Sequence, residues 1–348
     1  MQGIQGMIRK VLAFILMILL LVAFWQHQLI VYGLAQARGQ VQILANTRPL
    51  EEVINDPLTP DSTVEKLIFI QHVKQYAVDS LGINESKNYT TFYDQGGLAS
   101  LWNVTAAEQF ALEAVEWDFP LIGSFPYKGF FEYEMALKEK AKLDADSLDT
   151  NIGIVGGWST LGWFKDPVLS NMLLRTQGEL ADLIIHELTH GTLFVKDSVE
   201  FNENLATFIG REGTQRFLNA VFGENSEELR AFEEGINDSE TFTNHILNGS
   251  EKLDSLYKSF TVKDSYEEKI SKKEKMMEQI IVSADTLTFF NKERYNNVSS
   301  FILPNNAYFL SFIRYRSKLD NFENKLKSEF GNDLRLYLEH LKEKYPSL

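Results

Sequence analysis

Apolar residues recur at helical spacing along most of the chain. Positions three and four residues apart share one face of a helix, so this periodicity predicts amphipathic helices that bury one side. Aromatic and β-branched residues with glycines interrupt the periodicity at 89–104 and 151–164, which predicts a few short strands. The pattern therefore predicts an α+β fold that is mainly helical, with a small β-sheet and a helical C-terminal region. The predicted helices cover residues 36–50, 64–81, 132–143, 205–217, 226–240, 242–257, 262–291 and 310–345, and the aromatic stretch 117–131 is predicted to be irregular.

The N-terminal stretch has no polar face. Arg9 and Lys10 precede a run over Val11 to Leu34, 24 residues without Asp, Glu, Lys or Arg. As a helix this run would measure roughly 36 Å at 1.5 Å per residue, enough to cross a bilayer. The preceding positive pair favours a cytoplasmic tip, so residues 1–34 are predicted to be a single-pass membrane anchor with the rest of the chain on the periplasmic side. The alternative is a signal peptide cleaved after an A-x-A site at residues 35–37.

One group of polar residues lies inside an apolar helical run: His186, Glu187 and His190, in the pattern H-E-x-x-H. Residues i and i+4 share a helix face, so the two imidazoles can hold one metal ion. Glu187 lies about 100° round the helix, which suits a general base acting on a water beside the metal. A catalytic zinc takes three protein ligands, and Glu203 is the predicted third. The sequence thus predicts a Zn²⁺ site formed by His186, His190 and Glu203, with Glu187 as the catalytic residue.

The segment between these ligands predicts a pair of helices that meet at the metal. The first helix is predicted to continue to about Val195, and Asp197 with Glu200 predicts the N-terminal cap of the second. Gly191 and Ala206 are small residues, and we predict that they lie where the two helices approach closely. The alternative is an ordinary amphipathic helix whose histidines are at the surface or hydrogen-bonded.

Composition limits the possible partners. The chain has 348 residues, a net charge of −14 and no cysteine. Its lysines and arginines form no basic stripe, so nucleic-acid binding is not predicted. The absence of cysteine excludes disulfides, iron–sulfur clusters and thiolate zinc sites. The sequence does not indicate an oligomeric state.

The glycine-rich segment before the H-E-x-x-H helix is a candidate for substrate binding. In zinc peptidases a strand edge at this place commonly holds an extended peptide. We therefore predict substrate contacts from Gly157, Ser159 and Thr160, and the alternative is an ordinary hairpin. Stabilisation of the transition state needs a further donor near the open metal position. Tyr315 is the predicted donor, with the pair Asn305–Asn306 as the alternative.

Several motifs together resemble one known family, the bacterial "predicted aminopeptidase" family of envelope-anchored zinc peptidases of the gluzincin type. The resemblance covers nearly all of the chain after the predicted anchor. It implies a zinc metallopeptidase domain over residues 35–348, with a zincin-like core at about 150–222 and a helical part at 223–348. It also implies metal binding by His186, His190 and Glu203 and catalysis by Glu187. The motifs are Arg48-Pro49, Pro126 to Gly129, Ser159 to Leu169, Ile185 to His190, Phe201 to Ala206 and Asn305 to Ala307.

The chain departs from the family in two places. Relatives often carry a lipoprotein cysteine at the N-terminus and a cysteine pair flanking the aromatic loop, where this sequence has Asp118 and Ser124. An aminopeptidase also needs an acidic group for the substrate ammonium, and residues 156–164 contain none. The possible acids elsewhere are Glu132, Glu134, Asp182 and Glu212.

The resulting prediction is a membrane-anchored zinc metallopeptidase, most simply an aminopeptidase, that hydrolyses peptide or protein substrates. Two alternatives remain open. One is a zinc endopeptidase that trims envelope proteins, and the other is a non-catalytic, membrane-tethered protein that binds peptides or acts as a scaffold.

Overall fold

The structure is a computed structural model. It describes residues 26–119, 123–156, 165–295, 304–316 and 319–345, together with the isolated positions 10, 12, 14 and 17. The chain divides into two compact units, Met1–Asn46 and Thr47–Leu348.

The first unit contains helix α1, His27–Ala45. Most of the predicted membrane span, residues 11–25, lies outside the described residues except for positions 12, 14 and 17. In the described part of the chain, no helix combines the length and the apolar character that crossing a membrane requires. This finding contradicts the predicted single-pass membrane anchor, and with it the periplasmic placement that depended on the anchor.

The second unit is mainly helical with small sheets, which confirms the predicted α+β class. Its strands are β1 Arg48–Pro49, β2 Thr91–Tyr93, β3 Trp102–Ala107, β4 Trp117–Phe119, β5 Gly123–Phe125, β6 Lys128–Phe130, β7 Asp149–Ile154 and β8 Val168–Leu169. Its helices are α2 Leu50–Ile54, α3 Asp61–Leu81, α4 Tyr133–Ala145, α5 Gln177–His190, α6 Val199–Phe222, α7 Glu227–Ser259, α8 Tyr266–Ala284, α9 Lys292–Tyr295, α10 Asn306–Arg316, α11 Leu319–Phe330 and α12 Leu334–Lys344, with a 3₁₀ turn at Ser170–Leu174.

The described strands form three small sheets. In the first, β2 pairs antiparallel with β1 and parallel with β8. In the second, β3 is central between β6 and β7 and is antiparallel to both. The third is the hairpin of β4 and β5. Strand β7 ends shortly before the predicted substrate segment. Strand β8 is followed by the 3₁₀ turn and then by α5, so the H-E-x-x-H helix begins close to the edge of the first sheet.

The aromatic stretch 117–131 was predicted to be irregular, and this prediction is wrong. It contains β4, β5 and β6. Phe119 and Phe125 are diagonal neighbours across the hairpin, with ring centroids 6.0 Å apart, and Asp118 pairs with Ser124. Aromatic pairs across neighbouring strands stabilise a hairpin without the alternating pattern of a half-buried strand.

The C-terminal helices also differ from the prediction. Residues 226–257, predicted as two helices, form the single 33-residue helix α7. The predicted helix 310–345 is instead divided among α10, α11 and α12. Gly331 and Asn332 have φ angles of 57° and 68° between α11 and α12, a left-handed conformation that ends a helix.

Two hydrophobic clusters stabilise the second unit. The larger one lies between α3, α5, α6 and α12, and the smaller one between α7, α8 and α10. Each fully buried aliphatic side chain contributes roughly 1.5–3 kcal/mol relative to exposure. Central members of the larger cluster, all fully buried, are Leu67, Ile70, Ile184, Ile185, Leu205, Ile209 and Leu338.

A buried polar network joins strand β7 to the C-terminal helices. Lys273 Nζ donates to Asp149 Oδ2 at 2.5 Å and to the Gln109 carbonyl oxygen at 2.9 Å. The Asn306 backbone N–H donates to the same Asp149 oxygen at 2.8 Å, and the Tyr257 hydroxyl donates to Asn306 Oδ1 at 2.7 Å. Asn306 is fully buried in this network. It therefore stabilises the fold through these hydrogen bonds, and the alternative role of the pair Asn305–Asn306 in transition-state stabilisation stays a prediction.

Candidate active site

Helices α5 and α6 carry the H-E-x-x-H motif and the downstream glutamate, and they pack along each other. Helix α5 begins with a capping box, in which Thr176 Oγ1 accepts from the Glu179 N–H and the Glu179 carboxylate accepts from the Thr176 N–H. The close approach of α6 depends on glycine. A Cβ at Gly210 would lie 3.2 Å from the Asp182 carbonyl oxygen and 3.4 Å from His186 Cβ. Gly191 was predicted for this role, but a Cβ at Gly191 would meet only the Leu188 carbonyl oxygen, at an ordinary distance of 3.6 Å. Gly191 is therefore not needed for the close approach.

The turn between the two helices fixes their relative register. Helix α5 ends at His190 rather than near Val195, and α6 begins after Ser198, which makes no side-chain cap. Asp197, the predicted cap, instead has a φ of 55° within the turn. Asn202 closes the turn, because its side chain accepts from the Val195 N–H at 2.8 Å and donates to the Val195 carbonyl at 2.7 Å. This double hydrogen bond holds the residue before Glu203 against the turn that follows α5.

The structure brings His186, His190 and Glu203 together. Their ligand atoms all lie within 4.8 Å of one another. The two Nε2 atoms are 3.2 Å apart, and they lie 3.5 Å (His186) and 3.7 Å (His190) from the Glu203 carboxylate oxygens. Zinc bonds of about 2.1 Å in tetrahedral geometry require ligand atoms about 3.4 Å apart, so these three residues fit one zinc ion. Among the described residues this is the one group of at least three His, Cys, Asp or Glu side chains with such geometry.

The histidines differ in their affinity for protons. Burial lowers the pKa of His186, but the carboxylates of Glu203, Glu187 and Asp182 outweigh this effect and raise it to about 9. Burial lowers the pKa of His190 to about 4, with the His186 charge acting in the same direction and Glu203 opposing it. Without a metal the cluster therefore carries one imidazolium beside a carboxylate. A divalent cation would replace that proton.

Glu187 is buried, with 9% of its surface exposed, on the same helix turn as His186. Burial raises its pKa to about 7, and the charges of Glu203 and Asp166 act in the same direction. His186 and Arg175 oppose them. A carboxylate with a pKa near neutrality can both accept and release a proton, which general acid–base chemistry requires.

The structure does not describe the side chains of the predicted substrate-binding residues. Gly157, Ser159 and Thr160 lie outside the described residues. Tyr315 belongs to helix α10, but its side chain is not among those described. Of the possible ammonium-binding acids, Asp182 lies one turn before His186 and contributes to its raised pKa. Glu212 pairs with Arg216 at 3.4 Å, and Glu132 and Glu134 are exposed on the surface.

Two charged residues near Glu187 were not singled out from the sequence, Asp166 and Arg175. Asp166 is 1% exposed and forms two hydrogen bonds with Asn88, at 3.0 and 3.1 Å. The Tyr89 N–H donates to the Asp166 carbonyl at 2.6 Å, and Tyr89 itself has a φ of 57°. Asp166 thereby holds the chain after the glycine-rich segment against residues 88–89. The sequence does contain a signal for Asp166 and Arg175: they are the two charged residues that flank the mostly apolar segment 167–174, which directly precedes the cap of the metal-binding helix.

Comparison with known proteins gives one match. The sequence model of a family described as "Putative aminopeptidase" matches residues 31–344. No curated protein and no solved structure matches the chain.

Proposed function

The chain belongs to the "Putative aminopeptidase" family, and from this premise we propose that it is a zinc-dependent peptidase, of the aminopeptidase type, with a zincin-like core formed by α5 and α6. The family supports peptidase activity in general. The observation that carries the zinc dependence is the convergence of His186, His190 and Glu203 on one point at distances that suit Zn²⁺.

The proposed division of labour follows from the donor set. His186 and His190 would hold the ion through Nε2 and Glu203 through its carboxylate. Bound zinc would supply Lewis-acid polarisation of the peptide carbonyl and would make water acidic enough to lose a proton near pH 7. With three protein ligands, the donor set leaves one tetrahedral position for solvent or substrate.

Glu187 would carry the proton transfers. It neighbours His186 on α5, and its raised pKa makes it a base of suitable strength. We propose that its carboxylate accepts a proton from the attacking water and then donates it to the leaving amine. The water oxygen first bonds to the carbonyl carbon; the C–N bond then breaks, and the proton from Glu187 ends on the new amino group.

The test combines metal analysis with peptide cleavage. Purified protein should contain about one zinc per chain, and it should cleave peptides in a broad library. Glu187→Gln should keep the metal and lose about 10²–10⁴-fold in rate. His190→Ala should lose the metal. His72→Ala, at an exposed position on α3, is the matched histidine control and should change neither.

Matched peptides with free and acetylated N-termini distinguish the types of peptidase. Cleavage of only the free peptides supports an aminopeptidase, whereas equal cleavage supports an endopeptidase. Near-normal cleavage by Glu187→Gln contradicts the mechanism, and a metal-loaded protein that cleaves nothing contradicts the proposed activity.

A further inference from the structure

Arg175 places a guanidinium group at the start of the metal-binding helix α5. It immediately precedes the cap of α5, and its side chain lies against Gly156, two residues after the end of β7. A Cβ at Gly156 would lie too close to Arg175 Nη2, so a larger residue there would displace the guanidinium from its present position. The group thus occupies the space between the end of a strand and the start of the metal-binding helix.

The guanidinium has few partners. It carries five N–H donors, yet in the described part of the chain its side chain makes one hydrogen bond, from Nη1 to the Asn171 carbonyl oxygen at 3.5 Å. No described carboxylate lies within 4.0 Å of it. The Glu179 carboxylate, a nearby acid, already accepts from the Thr176 N–H and pairs with Arg294. Most of the Arg175 donors therefore have no hydrogen-bond partner among the described residues.

The positive charge of Arg175 reaches the proposed catalytic base. Burial lowers the pKa of Arg175, and the negative charges of Glu179 and Glu187 oppose this change. Reciprocally, Arg175 lowers the pKa of Glu187. The guanidinium is thus close enough to Glu187 for their charges to interact, but too far away for a direct ion pair.

We propose that Arg175 binds a carboxylate of the substrate and so selects peptides that carry a negative charge close to the scissile bond. A planar guanidinium with unused donors binds a carboxylate through two parallel hydrogen bonds. Glu203, Asp166 and Asp182 add negative charge around His186 and Glu187, so an anionic peptide would need a cation such as Arg175 in order to bind there. The carboxylate is either a free C-terminus or an Asp or Glu side chain. The inference rests on the proposed peptidase function.

Matched peptides test the inference and identify the source of the carboxylate. One pair differs only in a free or amidated C-terminus, and a second pair only in Glu or Gln next to the scissile bond. Wild-type protein should prefer the charged member of one pair. Arg175→Gln should lower kcat/KM for that member by about tenfold to a hundredfold, the value of a charge-assisted hydrogen bond. Its effect on the neutral member should stay below about twofold.

Two further variants separate specific recognition from structural support. Arg175→Lys keeps the charge but not the planar fork, so it should recover part of the preference. Arg230→Gln removes an exposed arginine of α7, 69% exposed at its side chain, and should leave the preference unchanged. An equal loss for charged and neutral peptides in Arg175→Gln would show that Arg175 only supports the fold, and the inference would then fail.

Equilibrium binding keeps this inference distinguishable from the proposed function. Fluorescence anisotropy of the same peptides with Glu187→Gln protein, with and without Arg175→Gln, does not depend on turnover. If the wild type cleaves nothing but Glu187→Gln prefers charged peptides through Arg175, the peptidase proposal fails and the inference stands. Equal binding of both members of each pair, or no binding of any of these peptides, overturns the inference.

Discussion

Gly210 tests whether the close approach of α5 and α6 positions the metal ligands. In Gly210→Ala the added Cβ would lie 2.6 Å from Asp182 Oδ1 and 3.2 Å from the Asp182 carbonyl oxygen. The carboxylate can rotate away, but the carbonyl belongs to the backbone of α5. Helix α5 must therefore recede by a few tenths of an ångström. His186 and His190 move with α5, whereas Glu203 stays on α6.

The expected loss of zinc affinity follows from the small range of metal–ligand distances that zinc accepts. Metal–ligand distances accept changes of only about 0.2 Å, so a displacement of this size between the two helices weakens binding. We expect the zinc affinity of Gly210→Ala to fall by about tenfold to a hundredfold, as for changes to residues that orient metal ligands. Overall stability should change little, because alanine gains about 1 kcal/mol in helix propensity while the contact with Asp182 opposes it.

The assay is a zinc titration in competition with a chromophoric chelator, together with urea unfolding of the metal-free protein. Gly235→Ala is the matched control, since a Cβ at this position of α7 meets nothing within 4 Å. It should stabilise the protein by about 0.5–1 kcal/mol and leave zinc affinity unchanged. If Gly210→Ala stabilises the protein as much as Gly235→Ala and binds zinc like the wild type, Gly210 does not control the approach of the helices.

Three further predictions follow from the structure. Lys273→Met should lower the free energy of unfolding by about 3–5 kcal/mol, because it leaves the buried Asp149 carboxylate without its cation; urea unfolding measures this, and adding Asp149→Asn should recover part of the loss. The double variant Asp118→Cys/Ser124→Cys should form a disulfide on oxidation, because these cross-strand partners lie within the Cα range of disulfides; two free thiols after oxidation would contradict the hairpin register. Burial opposes a low pKa at Glu179, but the Thr176 N–H and Arg294 lower it below the ordinary value of 4.5. Its contribution to stability is therefore present above the unfolded-state pKa and lost as pH falls through the folded-state pKa, so the stability difference between wild type and Glu179→Gln should disappear in acid.

The local part of the candidate site could be predicted from the sequence. His186 and His190 share a helix face because helical geometry depends only on spacing along the chain. Glu203 follows after a short turn, so the second helix returns it to the face of the first. The details of the pair could not be predicted in the same way. Gly210 rather than Gly191 permits the close contact, and Asn202 rather than Asp197 fixes the turn, since both roles depend on which side chains meet across the two helices.

The fold shows the same division. Amphipathic periodicity predicted a mainly helical chain, but aromatic pairing across β4 and β5 formed a hairpin in a stretch predicted to be irregular. The N-terminal run predicted a membrane span, whereas no described helix is long and apolar enough to form one.

By itself the sequence determined the identity and the helical spacing of two imidazoles and a carboxylate, because these depend on contacts within a few turns of one chain segment. Only the tertiary structure decided that Arg175 and Asp166 lie close enough to Glu187 to change its pKa. Such distances are set by the packing of strands and helices from distant parts of the chain, and no local pattern records them.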